Sequence, residues 1–177
     1  MKKIMFNDKF LLTQAVLNGT KTMTRRVIKK DIPIGNWQET EKMLRYKIGE
    51  VVAIAQCYLD IKKPQFDKFG HDVAGNTNKM FVRADLMPHH IKNTDVRVER
   101  LQDITDEDCL KEGIMHFIPA DDEECTEEGY GYRTSDGGCF LFDTPREAFA
   151  KLINKICGKG TWERNQLVEA YTFTRVD

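Results

Sequence analysis

The chain has 177 residues, about one domain's worth and enough to bury a sizeable core without disulfides or metals. Hydrophobic residues make up 41% and charged residues 31%, which excludes a disordered chain, and no apolar run approaches the roughly 18 residues of a membrane span. The net charge of −1 hides an asymmetry: Lys2, Lys3, Lys9, Lys21, Arg25, Arg26, Lys29 and Lys30 face only Asp8 in the N-terminal segment, whereas "DITDEDCLKEG" and "PADDEECTEEG" are strongly acidic. A basic N-terminal surface suits phosphate; the acidic segments do not.

The N-terminus "MKKIMFNDKF" lacks the long apolar stretch of a secretion signal, so a cytoplasmic protein is expected. The five cysteines, Cys57, Cys109, Cys125, Cys139 and Cys157, are odd in number and contain no Cys-x-x-Cys pair, and read as reduced thiols. Phe10, Leu11, Ala15, Val16 and Leu17 fall at helical spacings and Gly19 is a plausible stop, which predicts a helix over residues 9 to 18 leading into "TKTMTRR". Residues 26 to 50, with Pro33 and two glycines, read mainly as loop with room for a short strand. "GEVVAIAQCYLDI" is the clearest strand, "KPQFDKFGHDVAGNTN" a long polar connection, and "KMFVRADL" and "TDVRVERLQDI" two further strands.

In "ITDEDCLKEGI" Thr105 is a good N-cap, Asp106, Glu107 and Asp108 suit the positive end of a helix dipole, and Gly113 supplies the stop. Residues 115 to 142 have weak periodicity and resemble an inserted loop or hairpin. "DTPREAFAKLINKICGKG" is the firmest helix, with Thr144 as N-cap, Pro145 at its first position and Glu147 three after the cap. The alternating "LVEAYTFTRV" closes the chain as a strand. Strands outnumber short, peripheral helices, which favours an α+β fold built on a closed or partly closed barrel.

Chemistry concentrates in "LNGTKTMTRR". Lys21 and Thr24 would point to opposite sides of an extended strand, so joint action requires a turn between them. A desolvated lysine with a lowered pKa can take the proton of a threonine hydroxyl, and Arg25 and Arg26 add fixed positive charge for phosphate or an oxyanion. The reading as an ordinary solvated loop stands beside this one. His71, His89, His90 and His116 are scattered without metal-ligand spacing, and no metal or cofactor is expected. Trp37 and Trp162 are either base-stacking platforms or core and rim anchors, and Asn78 and Lys79 are further candidate ligand contacts.

Gly19, Lys21, Thr24 and Arg26 match the Gly-x-Lys-x-x-Thr-x-Arg signature, and the sequence resembles the ASCH domain family on that ground. "YKIGEVVAIAQ", "VRVERLQDITDEDCLKEGI" and "GKGTWERN" are similar to later blocks of its bacterial and phage-associated members. The resemblance implies a single PUA-like domain over residues 1 to 177, a mixed barrel with short flanking helices and insertions around 60 to 78 and 115 to 142. It further implies a partner that is RNA or a modified nucleoside or nucleotide, with no membrane and no obligate protein partner. Some members are amidohydrolases that deacylate N4-acetylcytidine with a lysine, a threonine and a later glutamate; these fall on Lys21, Thr24 and, by order of elements, Glu112. Gly19, Thr22, Arg25 and Arg26 would then contact substrate, with Thr24 attacking or orienting a water. A noncatalytic reader of RNA or modified bases, or a ribonuclease, is equally compatible with the resemblance.

Overall fold

The computed structural model describes residues 1–33, 35–119 and 127–177. In chain order the elements are β1 (Lys3–Ile4), α1 (Leu12–Leu17), β2 (Met23–Val27), α2 (Trp37–Met43), β3 (Val51–Ile54), β4 (His90–Arg100), α3 (Asp106–Lys111), β5 (Met115–Phe117), β6 (Gly129–Arg133), β7 (Cys139–Phe142), α4 (Pro145–Cys157), α5 (Thr161–Arg164) and β8 (Leu167–Arg175). The fold is α+β, with short helices flanking two sheets. One sheet has the order β1-β3-β4-β8-β2, antiparallel except for the parallel β1–β3 pair; the other is the antiparallel β5-β6-β7. Arg26 of edge strand β2 donates to the Met5 carbonyl just after the other edge strand, β1, at 2.6 Å. The two edges thus lie within one side chain's reach, and the sheet curls most of the way round.

The long strands β4 and β8 form the spine, pairing from Ile91↔Arg175 to Arg100↔Leu167 with one irregularity between Asn93 and Asp95. Their inward residues Ile91, Val96, Val168, Tyr171 and Phe173 join Val52 and Ile54 of β3 in the main core. Helix α4 closes that core with Ala148, Phe149, Leu152 and Ile153, the i, i+1, i+4, i+5 stripe of an amphipathic helix. Its start follows the sequence: Thr144 Oγ1 accepts the Glu147 amide and Pro145 occupies the first turn. Burial of each large apolar side chain here contributes roughly 1.5–3 kcal/mol.

Several local expectations are corrected. The first helix starts at Leu12 rather than residue 9, because Leu11 takes a left-handed conformation (φ 54°) and the Leu11 amide closes a turn onto the Asp8 carbonyl. "KMFVRADL" is no strand: it forms two 3₁₀ turns, Lys79–Phe81 and Ala84–Leu86. Asn78 Oδ1 caps the Met80 amide, and Val82 and Met87 are drawn into a second small core with Ala53, Ala55 and Tyr58. The stretch read mainly as loop after Arg26 holds the end of β2 and all of α2, which Asn36 caps by accepting from the Gln38 and Glu39 amides. The hairpin expected in 115 to 142 is the three-stranded sheet β5-β6-β7; Cys125 and most of the acidic run beside it lie outside the described residues. Among the described residues no helix is long and apolar enough to cross a membrane.

Candidate functional site

The signature loop is tied to the end of α3 by its backbone. The Lys21 amide donates to the Ala15 carbonyl at the foot of α1, and the Thr22 amide to the Lys111 carbonyl at the last turn of α3, both at 2.9 Å. At that end of α3 the Gly113 amide bonds to the Leu110 carbonyl and the Ile114 amide to the Cys109 carbonyl, the paired closure that fixes a helix C-terminus. Gly113 adopts φ 102°, and a Cβ there would stand 3.1 Å from Leu12 Cδ2. This closure aims Glu112 inward, at Lys21.

Lys21 Nζ donates to Glu112 Oε2 at 2.7 Å and to the Glu112 carbonyl at 2.5 Å, and the two side chains are only 2% and 6% exposed. Arg25 binds the other oxygen of the carboxylate, Oε1, at 3.2 Å. Its guanidinium also donates to Glu99 Oε1 at 2.6 Å and Asp108 Oδ2 at 2.8 Å, and Arg97 reaches the same Asp108 oxygen at 2.8 Å. Three cations and three carboxylates thus interlock, which is the condition under which charges tolerate burial.

Burial pulls the Lys21 ammonium below its ordinary range, and the Glu112 carboxylate only partly restores it. Burial would raise Asp108, but its bonds from Arg25 and Arg97 prevail and hold it below the usual carboxylate range. Arg25 moves the opposite way: burial lowers it, and Glu112, Asp108 and Glu99 more than compensate.

Lys21, Thr24, Arg25, Arg26 and Glu112 line one cavity of about 100 Å³. Phe149, Leu152, Ile153 and Ile156 of α4 and Met5, Phe6 and Asn7 after β1 complete its walls. Lys21 precedes β2, which frees it from strand alternation, while Thr24 and Arg26 share one face of β2 by the two-residue period. Thr24 is 5% exposed. Arg26 is half-buried over the Phe6 ring, 5.6 Å from its centroid, and its Nε has no hydrogen-bond partner among the described residues.

The remaining candidates fall elsewhere. Gly19 (φ 82°) turns the chain out of α1, and Thr22 serves through its backbone; neither lines the cavity. Arg25 is committed to internal carboxylates, so its part is to hold Glu112 rather than to offer a charge to solvent. Lys79 Nζ is spent on the Phe6 carbonyl, Asp8 and Thr13. Trp162 packs edge-on against Phe149 under the Arg146 guanidinium, whereas Trp37 is 45% exposed. Sequence reasoning missed Glu99, Asp108 and Arg97 as members of the buried network. The two-residue alternation of β4 sets Glu99 with Arg97, on the face opposite the core residues Val96 and Val98, so it carried no local signal.

No family model and no curated protein matches the sequence. Solved structures similar to it include the following two. One is a protein from Enterococcus faecalis described under the family model DUF984, with 14% identity and a TM-score of 0.39, covering 94% of this chain and 67% of its own. The other is an ASCH domain from Lactobacillus crispatus, with 10% identity and a TM-score of 0.39, covering 96% of this chain and 75% of its own.

Proposed function

We infer that the protein is an amidohydrolase that removes the acyl group from an N4-acylated cytosine nucleoside or nucleotide. The observation that carries this reading is the buried Lys21–Glu112 pair, 2.7 Å apart, opening on a cavity that Thr24 also lines. A cavity of about 100 Å³ has room for an acyl amide but not for a whole nucleoside. Base and ribose then lie in the adjoining recess of about 560 Å³, which shares Arg26 and Met5 with the cavity.

The pair supports both proton transfers. Burial lowers the Lys21 pKa, so the proton shared along the 2.7 Å bond to Glu112 can leave the amine free to act as a base. Lys21 takes the Thr24 hydroxyl proton as Oγ1 bonds to the acyl carbon, and Arg26 stabilises the oxyanion. As the C–N bond breaks, Glu112 protonates the departing exocyclic amine. Lys21 is now an ammonium and Glu112 a carboxylate. A water then attacks the threonyl ester, giving its proton to Glu112, while Lys21 returns a proton to Thr24 Oγ1. Free acid leaves and the neutral pair is restored.

Replacement of Lys21 by Met, Thr24 by Ala or Glu112 by Gln is each expected to lower kcat on N4-acetylcytidine by about a hundredfold or more, while circular dichroism reports a folded chain. Because the working pair holds one shared proton, the rate is bell-shaped in pH: a second proton stops it in acid, and loss of the first stops it in alkali. Since burial lowers Lys21, the alkaline limb falls below the ordinary lysine range. Undiminished turnover in a folded Thr24→Ala chain contradicts the reading, and specific nucleotide binding without any turnover replaces it with a noncatalytic reader.

A further inference from the structure

The cavity shares lining residues with a basic recess, and that recess with another. The recess of about 560 Å³ that shares Arg26 and Met5 with the cavity is lined by Lys2, Lys3 and Arg45 as well. Arg45 also lines a third recess, of about 360 Å³, together with Lys29 and Lys30. Among the described residues, six basic side chains line these two recesses against one lining carboxylate, Glu169, and Lys2 is also paired with Glu50 at 3.0 Å. Glu169 is 8% exposed and is engaged by the Tyr171 hydroxyl at 2.6 Å and the Arg45 amide at 3.3 Å. Lys3 Nζ is held by the Met80 and Val82 carbonyls, which fix its position without neutralising its charge. Apolar and aromatic groups, Tyr46 and Val82 in one recess and Ile32 and Met43 in the other, lie among the cations.

Resting on the reading above, we propose that the substrate is a single-stranded polynucleotide whose phosphodiester backbone follows the two recesses as a trough, with the acylated base turned into the Lys21–Thr24–Glu112 cavity. A free nucleoside carries no charge for six cations to meet, and one phosphate does not require two successive recesses. A strand meets both features: the phosphates lie on Lys2, Lys3, Arg45, Lys29 and Lys30, and the flanking bases rest on the apolar groups between them. Arg26 lines both the trough and the cavity. The trough also accounts for the basic N-terminal segment, whose lysines converge from two stretches of chain on either side of the signature.

The test is fluorescence anisotropy with a short labelled single strand, as RNA and as DNA of the same sequence, titrated with salt. Each phosphate contact contributes about 0.7 to the slope of log affinity against log salt. The K29A/K30A double variant, outside the cavity, is expected to bind about tenfold more weakly and to lose about 1.4 from that slope. Its deacylation of free N4-acetylcytidine is expected to be unchanged. A K151A/K159A control, exposed lysines that line none of the three recesses, should behave as wild type. Binding of both strands marks backbone recognition, and a preference for RNA adds contact with the 2′-hydroxyl; either supports the trough. No binding of either strand, binding of acidic lipid vesicles in their place, or an unchanged slope in K29A/K30A overturns it. Those results read no turnover, so strand binding with no deacylation overturns the proposed reaction and leaves the trough standing.

Discussion

Truncating Glu112 would leave the buried Lys21 without its carboxylate and take from Arg25 one of its three, Glu99 and Asp108 remaining. Glu112→Ala is therefore expected to destabilise the fold by about 3–5 kcal/mol in denaturant titrations. The K21M/E112L double variant, which removes both charges and keeps the volume, should recover most of that loss. Equal stabilities for Glu112→Ala and the double variant would show that the pair is solvated rather than buried. Asp108 gives the matching pH dependence. Its folded pKa is depressed, so it stabilises the fold above the ordinary carboxylate value of about 3.9, and that contribution is lost as pH falls through the lower folded value. Stability measured from pH 7 to pH 3 should fall less steeply in Asp108→Asn than in wild type; parallel curves would contradict this assignment.

The elements divide into those that local chemistry specifies and those that distant partners specify. Helix α4 and the close of α3 were legible because their caps are local: Thr144 and Glu147, Thr105 and Asp108, and a glycine after each helix. Helix α2 carried an equally local signal in Asn36 and Glu39, obscured by the surrounding proline and glycines. "KMFVRADL" misled because Val82, with Ala84 and Leu86 packed beside it, enters a small side core instead of a sheet face, while Met80 and Phe81 stay exposed. The site was legible only in part. Lys21 and Thr24 lie in one short signature, whereas the ties from Arg25 to Glu99 and Asp108 span 74 and 83 residues and leave no mark in local sequence. Because α4 walls the cavity, it should also set which acyl group fits. Ile156→Ala is expected to raise the ratio of kcat/KM for N4-butyrylcytidine to that for N4-acetylcytidine by about tenfold, the value of one or two methylenes in an apolar pocket. An unchanged ratio would place the acyl group elsewhere.

At the scale of the whole molecule, the curled five-stranded sheet brings the N-terminal strand, the signature strand and the end of α3 to one place, and α4 covers it. The sheet β5-β6-β7 packs against α4, and its Tyr132 meets Phe10 edge-on with ring centroids 5.6 Å apart. The cations that the net charge conceals collect beside the cavity, in the recesses lined by Lys2, Lys3, Arg45, Lys29 and Lys30. Fold and charge thus converge on a single opening, and the chemistry inside it is the central claim. The most direct measurement is incubation of the wild-type protein with N4-acetylcytidine, free and within a short strand, in water enriched in oxygen-18, with mass spectrometry of the products. Cytidine and acetate are expected in equal amounts, the acetate carrying a single heavy oxygen from solvent. Recovery of intact N4-acetylcytidine from both substrates would contradict that claim.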